Sequence, residues 1–395
     1  MAETFHLPSE ESHQQQIKDS FYEKAAKPDL LGNWFEAWFQ ISTREPFEAV
    51  DFLMSEIVKK GRCVGCAACF YVCPVNVFDY ADEKPIDSRH IACVSCGLCV
   101  EVCPPAHLGS SQLSTYVMKK DFKDDGFGKY KSAALTRAKS KTITDKAQDG
   151  GIATTLLIQA LDEGIVDAVV LGDVVEGNPL APIQRLARTK EEVLHASGSR
   201  YSYSPNTTAI REAYDQNLKV AVVGVPCQIN GLRYVQNDAA ELFNFNDWYK
   251  KNIKFTIGLF CSEVFTQQGL EYLSGSIKVP LENITNINVK GKIISKTKDG
   301  VEIVSSLKDM RKYMRPACNF CWDYSAELAD ISLGGIGLKG WTFTVARTEL
   351  GQKMFDKLLE KDLIEVKSLE EEVKAKELLI KLSAQKRNRV KHYEA

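Results

Sequence analysis

Eight cysteines between positions 63 and 103 constrain this chain more than any other feature. Cys63, Cys66, Cys69 and Cys73 precede Pro74, and Cys93, Cys96, Cys99 and Cys103 precede Pro104. Each run reads C-x2-C-x2-C-x3-C-P, the spacing that holds [4Fe–4S] clusters in bacterial two-cluster ferredoxins. Three thiolates of a tight loop wrap one face of a cluster, and the fourth comes from the other run. Cys63, Cys66, Cys69 and Cys103 are therefore expected on one cluster, and Cys93, Cys96, Cys99 and Cys73 on the other. A zinc site typically uses two C-x2-C pairs far apart, which fits this spacing less well.

The 395 residues are enough for two or three domains. A formal net charge of −2 argues against a nucleic-acid partner. No uncharged apolar run reaches the length of a membrane span, and Met1 to Gln16 lacks the apolar stretch of a secretory signal. With cysteines at metal-ligand spacing, a reducing cytoplasm is the expected compartment. Apolar residues recur at helical spacing from Leu30 to Phe39 and again after Pro46, at Phe47, Val50, Leu53, Met54 and Ile57.

From about 132 the pattern alternates between strands and helices, which predicts an α/β domain with some α+β elements. Strands are read at Ser132–Arg137, Asp167–Val175, Lys219–Val225, Ile253–Cys261 and Asp330–Leu333, and hairpins over Ile284–Ser306. Helices are read from Gly150-Gly151 to about Glu163, over Asn206–Gln216 and from Glu263. Ser368 and Glu371 form a capping box before a charged terminal helix, whose basic end, Lys386-Arg387-Asn388-Arg389, is read as a solvated tail. The division is a helical N-terminal extension over 1–60, a ferredoxin-like domain over 61–105, a linker over 106–131, the α/β domain over 132–360 and a C-terminal helix over 361–395.

Cys227, Cys261, Cys318 and Cys321 remain. Cys227 and Cys261 follow expected strands at their carboxyl ends, where α/β sheets place their sites, and Cys318 and Cys321 form a C-x2-C. Together they suit a third [4Fe–4S] cluster; Cys227 and Cys261 as buried small hydrophobes is the alternative. Clusters carry one electron at a time, so a flavin is expected to split a two-electron donor. Three loops offer glycines, hydroxyls and cations for it: Gln148–Thr155, Ser197–Asn206 and Gly334–Trp341. Each alone is a weak signal, equally an ordinary turn or a solvated loop.

Taken together these residues resemble the family of beta subunits of coenzyme F420 hydrogenases and dehydrogenases. The resemblance rests on Gln148-Asp149-Gly150-Gly151, Gly198-Ser199-Arg200-Tyr201, Val223-Gly224-Val225-Pro226-Cys227-Gln228, Cys318-x2-Cys321 and Ala326–Ser332, with Gly340-Trp341 and Arg347-Thr348-Glu349, and covers roughly 61 to 360. A ferredoxin module ahead of such a domain looks most like the input subunit of archaeal F420H2 dehydrogenases. The resemblance implies FAD at Asp149, Gly150, Gly151, Thr154, Ser199, Arg200, Tyr201, Asn206, Pro226, Gln228, Gly335 and Lys339, and a cluster on the last four cysteines. It implies hydride transfer from reduced F420 to FAD, then single electrons through three clusters to a redox partner. That partner is a complex-I-like membrane assembly, a heterodisulfide reductase or a ferredoxin, with peripheral membrane association through the complex.

Hydride transfer between cofactors requires no catalytic acid or base. Arg188, Lys190, Arg200, Arg211 and Lys339 are candidate anchors for the anionic tail of F420, or solvated surface charge. A ferredoxin-dependent reductase of another substrate and a non-catalytic electron relay are the competing readings. The stripe of Trp34, Phe35, Trp38 and Phe39 packs on the ferredoxin module, docks a partner or lies on a membrane surface. His90, His107 and His195 have no metal-like company.

Overall fold

The computed structural model describes residues 48–81, 83–106, 122–175, 178–237 and 246–390. The aromatic stripe at 34–39 and His107 lie outside them. Helix α1, Glu48–Phe52, continues as a π-helical stretch, Leu53–Val58. Ala49, Val50, Leu53 and Ile57 share one core with Cys69, Cys73, Cys99 and Cys103. Thus the residues just ahead of the first cysteine run cover the ferredoxin-like unit. Short helices α2, Ala68–Val72, and α3, Leu98–Glu101, each emerge from a cysteine run. Between the runs, β1 (Phe78–Ala81) and β2 (Lys84–Asp87) make an antiparallel hairpin.

Next come a small pair, β3 (Lys123–Asp124) and β4 (Lys129–Tyr130), then β5 (Ser132–Ala138), β6 (Ala168–Val175), β7 (Asn178–Ala187), β8 (Val220–Gly224) and β9 (Ile253–Leu259). The rest are β10 (Ile284–Val289), β11 (Ile293–Thr297), β12 (Glu302–Ser305), β13 (Ile331–Gly334), β14 (Thr342–Ala346) and β15 (Ile364–Lys367). Eight of them form one mixed sheet in the order β15-β5-β14-β13-β9-β8-β6-β7. β13, β9, β8 and β6 run parallel in its middle. Antiparallel strands close both sides. β10, β11 and β12 make a separate antiparallel sheet.

Parallel central strands are buried on both faces, so they read as continuous apolar runs. β8 is buried at every residue, and its side chains divide by parity. Val220 and Val222 join Ala168 and Val170 in one core; Ala221 and Val223 join Val169 and Leu171 in the other. The second core is covered by α4, Ile152–Asp162, through Ile152, Leu156 and Leu157. The first is covered by α5 (Ala209–Asp215) and α6 (Pro226–Gln236), and by the ferredoxin-like unit through Ala68, Tyr71, Leu98 and Val102.

Polar bonds tie that unit to the sheet. Tyr203 Oη donates to Gly65 O at 2.8 Å, Thr207 Oγ1 to Cys66 O at 2.9 Å and Tyr249 Oη to Tyr71 O at 2.7 Å. Arg315 donates to Val64 O and Glu83 O and stacks over the Tyr203 ring.

Several elements differ from the sequence expectation. The helix expected from Glu263 begins later, as α7, Gln267–Ile277, because Phe265 is drawn into bridges with Ser202 and Met314 and Thr266 caps the helix. The first turn of the 206–216 helix is 3-10, over Asn206–Thr208. Ser368 does accept from Glu371 N–H at 3.3 Å, but the terminal helix starts after that turn. Past α8, Glu349–Glu360, that helix is α9, Val373–Arg389.

Candidate functional site

The parallel strands deliver their following residues to one edge. β8 runs into Val225, Pro226 and Cys227, β9 into Phe260 and Cys261, and β13 into Gly335. The carboxyl edge of a parallel sheet is where such folds bind ligands. Here it opens into a cavity of about 350 Å3, within the range of small-molecule sites. Asp149, Gly151, Thr154, Ser199, Arg200, Tyr201, Asn206, Pro226, Gln228 and Gly335 all line it, and so do Cys227, Cys261, Cys318 and Cys321.

Two expected residues do not. Gly150 faces the sheet: its N–H donates to Thr342 Oγ1 at 3.0 Å, and a Cβ there would stand 2.4 Å from Thr136 O. Lys339 is exposed and off the cavity, whose wall from the loop after β13 ends at Ile336. Among the expected tail anchors only Arg200 lines the cavity. Arg211 pairs with Asp215 and donates to Cys73 O at 3.0 Å, so it holds the ferredoxin-like unit instead.

Several lining groups are already committed to the protein. Gln228 accepts from Val225 N–H at 3.0 Å and donates to Ser204 O and Asn206 Oδ1, and Asn206 bonds Val223 O. Their work is to shape the turn that carries Cys227. Thr154 shares a hydrogen bond with Ser197 at 3.0 Å. Arg200 Nε and Ser204 Oγ, by contrast, are buried without a hydrogen-bond partner. Orphaned polar atoms in a cavity wall call for a polar ligand. Burial pushes the Arg200 guanidinium down from its ordinary value, against the opposing charge of Asp173. Gly151, at φ 77°, opens α4 on the cavity, where unpaired helix N–H groups favour an anion. Asp149 leans across Gly335 and pairs with Lys290 at 2.8 Å.

The thiols fall into three groups. Burial pushes Cys69 well up, and the neighbouring charges of Cys66, Cys63, Cys103 and Cys99 push the same way. Burial does likewise for Cys99, with Cys96, Cys93 and Cys73 as its neighbours. Cys103 thus stands near Cys63, Cys66 and Cys69, and Cys73 near Cys93, Cys96 and Cys99. Cys227 is pushed up by burial and then by Cys321, Cys261, Cys318 and Cys66. The third group thus sits beside the first: Cys227 Sγ approaches Val64 O at 3.8 Å, and Cys66 Sγ lies 2.8 Å from a Cβ placed on Gly231 of α6. Among the described residues no three His, Cys, Asp or Glu side chains close on a single-ion position. A four-iron cluster spaces its thiolates more widely than one ion does.

The basic C-terminal end, expected to be solvated, is part of this wall. Lys386 on α9 is 4 % exposed, lines the cavity and donates to Cys261 O at 2.6 Å. Burial opposes its charge, yet Cys321, Cys261, Cys318 and Asp323 raise its pKa above the ordinary lysine value. Arg389 donates to Glu263 Oε2 and Ser262 O, each at 2.6 Å, and Arg387 pairs with Glu327. In sequence the signal was faint: one lysine at the right turn of a helix dense in charge. His195 pairs with the buried Asp173 at 3.0 Å and takes no part in the cavity.

Residues 133–211 match the family model for the N-terminal part of the coenzyme F420 hydrogenase/dehydrogenase beta subunit, and 217–372 match the model for its C-terminal part. Residues 62–108 match a 4Fe-4S dicluster domain. The chain is 37% identical over 271 residues to the beta subunit of coenzyme F420 hydrogenase from Methanosarcina barkeri, covering 67% of this chain and 90% of that one. It is 29% identical over 341 residues to a subunit of the F(420)H(2) dehydrogenase from Methanosarcina mazei, covering 85% of this chain and 92% of that one. A chain in the solved F420-reducing [NiFe] hydrogenase complex of Methanosarcina barkeri, a xenon derivative, superposes with a TM-score of 0.63 at 33% identity. That match covers 68% of this chain and 92% of the other.

Proposed function

The chain belongs to the family of beta subunits of coenzyme F420 hydrogenases and dehydrogenases, with a 4Fe-4S dicluster domain ahead of it, and from this we propose that it oxidises reduced F420 at a bound FAD and passes electrons singly to a redox partner. The supporting observation is one cavity walled by glycine- and hydroxyl-rich loops on one side and by Cys227, Cys261, Cys318 and Cys321 on the other. FAD supplies the exchange between a hydride pair and single electrons, and clusters relay them. The chain's own residues bind and align. Gly151, Ser199 and the unpartnered Arg200 Nε and Ser204 Oγ suit the polar parts of a flavin nucleotide. The four thiols suit a third cluster, since iron takes soft thiolate donors. Apolar lining from Leu157, Leu171 and Phe260 excludes water from the rings.

Cys63, Cys66, Cys69 and Cys103 then hold one exit cluster, and Cys93, Cys96, Cys99 and Cys73 the other. We keep 61–105 as the exit unit and 132–360 as the flavin unit, with 48–58 and 373–389 packed onto them. The partner is a redox protein such as a complex-I-like membrane assembly. No helix among the described residues is long and apolar enough to cross a membrane. The test is anaerobic reconstitution with iron, sulfide and FAD, followed by reduced F420. The flavin and cluster absorbance is expected to bleach; a spectrum that stays oxidised overturns the proposal.

A further inference from the structure

We propose that Lys386 is a positioning residue whose fixed positive charge beside Cys227, Cys261, Cys318 and Cys321 raises the reduction potential of the cluster they hold. The inference rests on the reading of those four thiols as a cluster site. Lys386 lies near the end of α9, is buried, and lines the same cavity as all four thiols. Its Nζ is anchored at 2.6 Å on the carbonyl of Cys261, so the ammonium cannot swing away to solvent.

Two of the surrounding carboxylates are paired elsewhere. Glu263 is held by Arg311 at 3.0 Å and Arg389 at 2.6 Å, and Glu327 by Arg387. Among the described residues no carboxylate forms an ion pair with Lys386, and the buried Asp323 has an oxygen, Oδ1, without a hydrogen-bond partner. A buried ammonium with no carboxylate partner is costly unless another anion faces it. Asp323 is one such anion, though it forms no ion pair with Lys386, and a four-thiolate iron–sulfur cluster is the other. Reduction adds one electron and one unit of negative charge, with no bond formed or broken. A cation held close by in a medium of low dielectric favours the reduced form. Lys386 would thus draw the first electron away from the flavin.

The test compares K386Q and K386R with the parent chain, each reconstituted anaerobically. Iron content is measured first, then the midpoint of the third cluster by redox titration followed by electron paramagnetic resonance. Gln keeps a donor for Cys261 O and removes the charge; Arg keeps the charge. K386Q is expected to weaken reduction of the third cluster about tenfold, which is 59 mV for a one-electron couple. K386R is expected near the parent value, and the two ferredoxin-type clusters unmoved. A K386Q midpoint equal to the parent's, or an equal fall in K386R, overturns the proposal. If K386Q and K386M both lose the third cluster while K386R keeps it, the charge serves assembly of the cluster and not its potential, and the proposal is overturned. Loss in all three variants makes Lys386 a packing residue and overturns it. A parent chain holding about eight irons instead of about twelve would sink the third-cluster reading itself, a result distinct from an unshifted midpoint.

Discussion

A methyl group added to Gly335 would stand 1.7 Å from Asp149 Oδ2, so alanine there must displace the Asp149 carboxylate and its Lys290 partner. The displacement falls inside the cavity and away from either core. G335A is expected to weaken FAD binding about tenfold or more, roughly 1.4 kcal/mol, with secondary structure unchanged. Flavin fluorescence titration of the apo chain reads this directly; parental affinity would remove the loop from the binding site. Cys318 serves a different test. C318S is expected to lower iron from about twelve to about eight per chain while both ferredoxin-type signals persist. Loss of all three signals would show instead that Cys318 supports the fold.

At the level of elements, the Arg347 side chain helps to stitch the sheet to the segment before β5. Arg347 is fully buried and donates to Ser332 Oγ, Lys129 O, Phe127 O and Ser325 O. R347M would leave Lys129 O and Ser325 O without the Arg347 donor and remove one of two donors from Phe127 O, an expected loss of about 3–5 kcal/mol by denaturant unfolding. A loss under about 1 kcal/mol would mean that water replaces the guanidinium. A second tie joins α4 to α8: Glu163 meets Lys357 at 2.5 Å and Lys361 at 2.6 Å. Hydrogen bonds from these lysines lower the Glu163 pKa from 4.5 to about 2. A depressed carboxyl stabilises the fold above pH 4.5, and the gain is lost as pH falls from there to about 2. The lysines are partly solvated, so E163Q should cost only about 0.5–1 kcal/mol at pH 7. The parent–variant gap in thermal unfolding should shrink below pH 4.5; a gap independent of pH would put the effect elsewhere.

At the scale of the whole molecule, two units share one core. Arg315 bridges them through Val64 O, Glu83 O and the Glu83 carboxylate at 2.7 Å. R315L is expected to raise hydrogen exchange across 62–85 at least tenfold while the β8 and β9 amides stay protected. Equal change in both would show that the units open together. The residues that govern this joint were the least legible in the sequence. Cysteine spacing is local, so the two runs over 63–103 stand out in the sequence at once. The central strands announce themselves as apolar runs because both faces are buried. β7 carries Pro179 and Pro182, which only an edge strand tolerates, and the sequence reading places no strand there. Gly150 lies in the same loop as Gly151, and only the fold reveals that one faces the sheet and the other the cavity. Lys386 is harder still, because its partners stand at positions 261, 318 and 321 and nothing local marks it as buried.

The place of Lys386 has a consequence for biosynthesis. A ribosome makes Cys227, Cys261, Cys318 and Cys321 well before the turn of helix that closes over them. Until residue 386 has been made and α9 has docked, the pocket of those thiols lacks one wall and stands open to oxidants. On the proposed reading of those thiols as a cluster site, iron loading of the third group should therefore trail that of the first two during synthesis, and chains cut short before residue 386 should carry iron in the ferredoxin-like unit and none in the α/β unit.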